Sequence, residues 1–232
     1  MQLTERDLEM IRWINGHRMA TVEQVVQAFD MGKKAAYRRL RAMVEAGYVE
    51  HQRIFRDKPG VYFPTSQGIA VSGDDLPAIT RITLGTYEHD LQLVDLSIRL
   101  VEQTGGQWQP ERRIRREKGF LGVGIPGHVP DGLLRLPSGS TVAIELELSV
   151  KGNRRIKDIL MNYQKGEHGA VSEVWYYCRS AAIAQRVRKH APQLVKTYAW
   201  PELTPFAEGF QEEAGATQQN PGAWLWGTQK GD

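Results

Sequence analysis

Three acidic residues, Asp131, Glu145 and Glu147, have the spacing of a site built on two paired strands. Residues 128–151 are typical of two strands joined by a tight turn at Pro137-Ser-Gly-Ser140. Alternate side chains of a strand share a face, so Glu145 and Glu147 project together, and pairing brings Asp131 beside them. Because converging carboxylates are costly unless a hard cation lies among them, the pattern predicts a Mg²⁺ or Mn²⁺ site for phosphoryl transfer.

The order Pro130-Asp131, a hairpin, then Glu145 and Glu147 resembles the PD-(D/E)xK nuclease superfamily. The usual lysine position of that motif is Glu147 here, and Lys151 reaches the same face if the strand continues. The resemblance implies a catalytic set of Asp131, Glu145, Glu147 and Lys151, in which Asp131 and Glu145 bind the metal. Glu147 would complete the shell or orient water, and Lys151 would stabilise developing charge. A solvated hairpin face that happens to be acidic is the alternative interpretation.

A helix predicted from about residue 86 to residue 103 carries Glu88, His89 and Asp90 near its start. In PD-(D/E)xK folds the helix before the core hairpin often lends an acid to the metal site. The resemblance therefore implies Glu88 as a further metal ligand with Asp131 and Glu145. A helix start that favours acids through its dipole explains Glu88 equally well. His89 either hydrogen-bonds across the sheet or contacts DNA.

The first 72 residues predict three helices followed by a β-hairpin. Capping boxes at Thr4 and Thr21 begin two helices, and a third runs from about Lys33 to Ala46. Strands over residues 48–55 and 61–65 flank a turn at residues 57–60. This order, with the stretch Ala36–Val49, resembles the winged helix-turn-helix family, its recognition helix and the exit into its wing.

Such a helix fits the major groove, where cations meet phosphates and guanine edges, while the wing reaches the backbone or the minor groove. The predicted DNA-binding residues are Lys33, Lys34, Arg38 and Arg41 on the third helix, Arg53, Arg56 and Lys58 in the wing, and Arg154 and Arg155 at the start of a later helix. A winged helix used for protein contacts is the alternative.

We predict an α+β chain with a winged helix-turn-helix domain at residues 1–72 and a linker at residues 73–80. Residues 81–206 give the order helix, hairpin, helix, strand, helix, strand, which predicts a mixed central sheet and is also the core order of a PD-(D/E)xK nuclease-like domain. Residues 207–232 are rich in Gly, Gln and Glu and predict a mobile tail.

Composition bounds the class of protein. The 232 residues contain one cysteine, which excludes a disulfide framework and a cysteine-based zinc site. No apolar run is long enough to span a bilayer and no signal pattern opens the chain, so we expect a cytoplasmic protein with no membrane partner. The net charge of +3 is small, so the placement of the basic clusters matters more than their sum.

Over residues 1–200 the chain resembles the replication-relaxation family of plasmids and integrative elements, which combines these two domain types. The resemblance implies double-stranded DNA as the partner, and it leaves open a homodimer and contacts with replication or transfer proteins. Two hypotheses follow from the residues. The protein is a magnesium-dependent DNA endonuclease or nickase, or it is a regulator or accessory factor whose inactive nuclease-like domain serves binding or dimerisation.

Overall fold

A computed structural model describes residues 2–117, 119, 128–164, 171–190, 193 and 195–205 of the chain. Seven elements form the N-terminal part of the chain: α1 Glu5–Gly16, β1 Ala20–Thr21, α2 Val22–Ala28, α3 Lys33–Glu45, β2 Val49–Gln52, β3 Val61–Pro64 and α4 Ser66–Ser72. The predicted order of three helices and a hairpin is confirmed. The predicted tail over residues 207–232 lies outside the described residues.

Local capping chemistry begins the first two helices where the sequence predicts. Thr4 and Asp7 form a complete capping box at α1, and Thr21 and Gln24 form another at α2. Each box satisfies backbone N–H groups that a helix start otherwise leaves without partners. The helices then bury one face each around a shared core of Met10, Ile11, Ile14, Val25, Leu40 and Met43.

A three-stranded antiparallel sheet with the order β1-β3-β2 completes the N-terminal part. The hairpin pairs Val49 with Pro64 and Gln52 with Val61. The two-residue strand β1, which pairs Ala20 with Tyr62, was not predicted. Such a short strand has no periodicity of its own, because its pairing depends on a partner about forty residues further along the chain.

Nine elements form the rest of the described chain: α5 Tyr87–Thr104, β4 Gln107–Pro110, α6 Glu111–Glu117, β5 Gly132–Arg135, β6 Thr141–Glu147, α7 Asn153–Gln164, β7 Val171–Cys178, α8 Ala181–Arg188 and β8 Val195–Ala199. They build a sheet of five strands in sequence order, in which β4, β5 and β6 are antiparallel and β6, β7 and β8 are parallel. The predicted mixed sheet is therefore confirmed, whereas β4 and α6 were not predicted.

The side chains of β6 project alternately to the two faces of the sheet. Ile144 and Leu146 pack into one core cluster with the α5 residues Leu96 and Leu100. Ala143 packs into a second cluster on the other face of the sheet, formed with residues of α7 and α8. Glu145 shares that second face because alternate residues of a strand project to the same side.

Residues 73–80, predicted as a linker, are partly packed into the structure. Leu76 is fully buried, and the Asn15 side chain donates hydrogen bonds to the Leu76 carbonyl at 3.2 Å and to Asp74 at 2.9 Å. The buried Arg112 of α6 donates to the Pro77 carbonyl at 2.6 Å. Turn-rich composition predicted a linker here, and hydrogen bonds from Asn15 of α1 and Arg112 of α6 hold two of its backbone carbonyls. No described helix has both the length and the hydropathy needed to cross a membrane.

Candidate functional site

The end of β6 brings three acidic side chains into one electrostatic neighbourhood. Gly132 pairs with Ile144, so Asp131 lies beside the last residues of β6. The Leu146 N–H donates to Asp131 Oδ2 at 2.8 Å. Glu145 and Glu147 are 2% and 3% exposed. The hairpin that the sequence predicts therefore places Asp131, Glu145 and Glu147 at one end of the sheet.

Glu145 is held by two protein groups on a single oxygen. The Tyr163 hydroxyl of α7 donates to Glu145 Oε1, and His128 Nε2 hydrogen-bonds with the same atom. Burial raises the pKa of Tyr163 well above its ordinary value, so its hydroxyl stays protonated as a donor. Burial works against the charged His128 ring, but Glu145 outweighs it and the pKa of His128 is raised.

Lys151 pairs with Glu147. The strand ends at Glu147, so Lys151 does not extend the pleat as expected; its side chain returns instead, and Nζ lies 2.7 Å from Glu147 Oε2. Burial raises the pKa of Glu147 even though Lys151 opposes that change. The pKa of Lys151 is itself raised, since Glu147, Glu145 and Asp131 outweigh its burial. The predicted proximity of Lys151 to the acids is thus confirmed by a different local geometry.

His89 of α5 belongs to this cluster, although the sequence left its role open. Its Nε2 lies 3.2 Å from the Leu146 carbonyl and 3.3 Å from Asp131 Oδ2, which is the contact across the sheet. Burial opposes a charged ring, but the hydrogen bonds to Asp131 and Asp90 raise the pKa of His89 to about 10. The charged imidazole in turn helps to lower the pKa of Asp131 against its own burial.

The predicted metal ligands are not assembled in this arrangement. Glu88 lies in an ion pair with Lys58 at 2.9 Å and with Arg179 at 3.3 Å. Among the residues described, no three His, Cys, Asp or Glu side chains are placed to hold a metal ion together. The carboxylate oxygens are chemically suited to Mg²⁺ or Mn²⁺, but Asp131 and Glu145 are engaged by protein hydrogen-bond donors. The residues as arranged therefore do not form a preformed cage for the ion.

Tyr163 is the site residue that sequence reasoning missed. It lies on the apolar stripe of α7, where its phenol ring packs into the core while its hydroxyl reaches Glu145. A tyrosine on an apolar helix stripe is interpreted as a core residue, so no local signal in the sequence indicates its contact with Glu145.

One face of α3 carries cations that the core does not use. Lys34, Arg38 and Arg41 are exposed, as is Tyr37. The exposed Lys33 lies 3.0 Å from Glu23. Exposed pairs of this kind contribute little to stability, so this face can neutralise phosphates at little structural cost.

A groove separates this face of α3 from the hairpin strand β2. Its lining includes Arg38 and Arg41 on one side and His51 on the other. The His51 and Tyr62 rings stack with their centroids 4.5 Å apart. The groove therefore joins cations to flat aromatic surfaces on adjacent elements.

The connection between β2 and β3 carries the other predicted cations of the N-terminal part. Arg53 and Arg56 are exposed. Lys58 instead turns toward α5, where it pairs with Glu88 and lies 5.7 Å from the centroid of the Phe55 ring. Arg154 and Arg155 are exposed at the start of α7, which has no acidic residue in its first turn. Most of the predicted DNA-binding residues are therefore exposed, and three of them form ion pairs within the protein: Lys33 with Glu23, Arg41 with Glu45 and Lys58 with Glu88.

Comparisons with protein-family models, with curated proteins and with solved structures find no match for this chain. The contacts and charges of the described residues are what a proposal of function rests on.

Proposed function

We propose that the protein binds duplex DNA through the exposed face of α3, and that its N-terminal part is a winged helix-turn-helix domain. The observation that carries this proposal is the division of cations along α3. Arg38 and Arg41 lie exposed with Lys34, whereas Arg39 turns inward to the buried Asp7. A helix with such a face suits the major groove, where arginine and lysine contact phosphates and guanine edges.

The hairpin supports the same assignment. In a winged helix the connection between the two hairpin strands is the wing, and here that connection exposes Arg53 and Arg56. Those cations extend the charge of α3 toward the DNA backbone. The groove that His51 lines lies between α3 and β2, so a duplex bound to α3 would contact both of these elements.

We further propose that residues 81–206 form a PD-(D/E)xK-like domain, and that the protein acts in the replication or transfer of a plasmid or mobile element, or in its regulation. The parallel strands β6 to β8 and the carboxylates at the end of β6 support the domain assignment. Because Asp131, Glu145 and Glu147 are each engaged by a protein partner, we favour a role for this domain in binding or dimerisation.

Metal-dependent cleavage of DNA is the second candidate function. The observation that favours it is the Lys151 ammonium, which lies 2.7 Å from Glu147 and interacts electrostatically with Glu145 and Asp131. A lysine beside acids is what charge stabilisation in phosphodiester hydrolysis needs. For an ion to bind, Asp131 and Glu145 would have to exchange their present partners.

The binding proposal is tested with fluorescence anisotropy on a labelled duplex over a series of salt concentrations. Replacing Lys34, Arg38 and Arg41 with alanine is expected to weaken binding and to flatten the salt dependence, by roughly 0.9 in slope for each lost phosphate contact. Arg135→Ala removes an exposed arginine at the far end of β5 and serves as the matched control. Unchanged affinity and slope in a folded triple variant would contradict the proposal.

The cleavage candidate is tested by incubating supercoiled plasmid with the protein and Mg²⁺ or Mn²⁺. Nicking that disappears in Asp131→Asn and in Lys151→Ala would establish it. Intact plasmid under both ions, from a protein that still binds duplex, would leave DNA binding as the function and remove the nuclease candidate.

A further inference from the structure

We infer that a second cationic surface contacts the phosphate backbone of the DNA that α3 holds, an inference that rests on the proposed function. The surface surrounds the end of β6, and we name it the arginine rim. It consists of Lys151, Arg154, Arg155, Arg179 and Arg186. The sequence singled out the first three of these residues, whereas Arg179 and Arg186 enter through the structure.

Two hydrogen bonds place the new members of the rim. The Arg179 N–H donates to the Glu147 carbonyl at 3.0 Å, which fixes the start of α8 beside the end of β6. The Arg186 Nη1 donates to the Lys151 carbonyl at 3.2 Å, which joins α8 to the segment before α7. Both guanidinium groups remain exposed, and the Arg179 side chain is 48% accessible. Three elements therefore present cations around one point of the sheet.

Glu88 connects the rim to the hairpin of the N-terminal part. One of its carboxylate oxygens lies 3.3 Å from Arg179 Nη2, and the other lies 2.9 Å from Lys58 Nζ. Lys58 belongs to the same connection as the exposed Arg53 and Arg56. The cations of the hairpin and those of the rim thus adjoin one another through a single shared acid.

The rim has an electrostatic role, because its cations offset the charge of the nearby acids. Three carboxylates lie at the end of β6, and they would repel a nearby phosphate in the absence of compensating charge. The rim places four exposed arginines and the partly exposed Lys151 around the end of β6. One turn of duplex is about 34 Å long, whereas a helix of the length of α3 spans roughly 20 Å, so DNA seated on α3 continues past it. Because Glu88 joins Lys58 of the hairpin to Arg179 of the rim, a duplex that runs from α3 over the hairpin would next meet the rim.

The test compares two random-sequence duplexes, one of about 12 base pairs and one of about 30 base pairs, by fluorescence anisotropy at low salt. The Arg179→Ala/Arg186→Ala double variant is expected to bind the long duplex on the order of tenfold more weakly than the unaltered protein. On the short duplex its affinity is expected to stay within about twofold, because a duplex of little more than one turn would contact α3 and the hairpin and would end before the rim. Arg135→Ala is the matched control for the loss of an exposed arginine.

Folding of the variants is checked by thermal unfolding, and Arg179→Gln provides a milder change that keeps the Arg186 contact with Lys151. Equal affinity of the double variant and Arg135→Ala for the long duplex would overturn the rim while leaving DNA binding by α3 in place. Equal weakening on both duplexes would also overturn it. An unaltered protein that binds neither duplex would overturn the proposed function together with the rim.

Discussion

The Arg39 guanidinium and the Asp7 carboxylate join the middle of α3 to the start of α1. Arg39 Nε donates to Asp7 Oδ1 at 2.9 Å, while Asp7 Oδ2 accepts the Thr4 N–H at 2.7 Å. Burial raises the pKa of Asp7, but the bonds from Arg39 and Thr4 outweigh burial and lower it. A single buried carboxylate therefore caps one helix and positions another.

Neighbouring arginines of α3 are predicted to have opposite roles. Arg39→Ala would leave Asp7 buried without its cation, so we expect a loss of about 2 to 3 kcal/mol in the free energy of unfolding. Arg38→Ala removes an exposed side chain, so stability is expected to change by less than about 0.5 kcal/mol while duplex affinity falls. Chemical denaturation and anisotropy on both variants measure the difference. Equal destabilisation of the two would contradict the division of α3 into two faces.

Lys151 is predicted to stabilise the fold by keeping Glu147 charged. In Lys151→Met, Glu147 would be buried without a cation, and because Lys151 is partly exposed we expect a loss of only about 1 to 2 kcal/mol near pH 8. Since the pKa of Glu147 is already raised by burial, removal of Lys151 raises it further. Stability of the variant should therefore increase as pH falls and Glu147 takes up its proton.

The control for that prediction is the double variant Lys151→Met/Glu147→Gln. It carries no buried charge at this position, so most of the stability should return and the additional pH dependence should vanish. A Lys151→Met protein as stable as the unaltered chain at pH 8 would show that the ion pair is not what holds Glu147.

Arg112 is predicted to be irreplaceable by lysine. Its guanidinium donates to the Asn15 side chain at 2.7 Å, to the Asn15 carbonyl and to the Pro77 carbonyl, three acceptors that a single ammonium cannot reach together. Burial lowers the pKa of Arg112 to about 10, so it is still charged at neutral pH. We expect Arg112→Lys to lose about 2 kcal/mol in denaturation.

Arg116→Lys is the matched control, because Arg116 is exposed and pairs with Asp75 at 3.1 Å. The unfolding free energy of Arg116→Lys should stay within about 0.5 kcal/mol of that of the unaltered protein. Limited proteolysis should cut residues 73–80 faster in Arg112→Lys than in Arg116→Lys. The same cutting rate in both would mean that Arg112 does not hold this segment.

His17 is predicted to make folding sensitive to mild acid. Burial lowers the pKa of His17 to about 4 from an ordinary value of 6.5, and its ring lies 4.7 Å from that of Trp13. Between pH 6.5 and pH 4, His17 therefore binds a proton in the unfolded chain but not in the folded chain. Stability from this residue is complete above pH 6.5 and is lost as pH falls toward 4, by about 3 kcal/mol in all.

The prediction is measured as the difference in unfolding free energy between the unaltered protein and His17→Phe at each pH. His89, Asp90 and Asp131 line the same small cavity as His17, but both proteins contain them, so their contributions cancel in the difference. The variant should lose less stability between pH 6.5 and 4. Parallel pH curves would contradict a neutral, buried His17.

Features encoded by neighbouring residues were predicted correctly from the sequence. Thr4 with Asp7 and Thr21 with Gln24 mark helix starts within four residues, and the capping boxes lie where expected. The alternation along β6 likewise placed Glu145 on the face opposite Ile144. These patterns depend on the chain's own periodicity, which needs no knowledge of distant contacts.

Features that depend on distant partners were not predictable. The arginine run beginning at Arg112 has the appearance of a solvated basic cluster, yet Arg112 is buried because Asn15, ninety-seven positions away, accepts its hydrogen bonds. Glu88 has the sequence context of a metal ligand, and Lys58, thirty positions away, engages it instead. Charge in a sequence does not reveal which opposite charge the fold supplies.

The Glu88 bridge changes what a salt titration would report. A cation that meets a phosphate from solution normally releases a condensed mobile ion, and that release makes affinity fall with salt. Lys58 and Arg179 already hold a carboxylate, so a phosphate reaching them would exchange one tethered anion for another. Such contacts would add affinity while adding little to the salt slope, so the slope would undercount the phosphates in contact. In Glu88→Gln the two cations would regain ordinary counterions, and the slope would steepen.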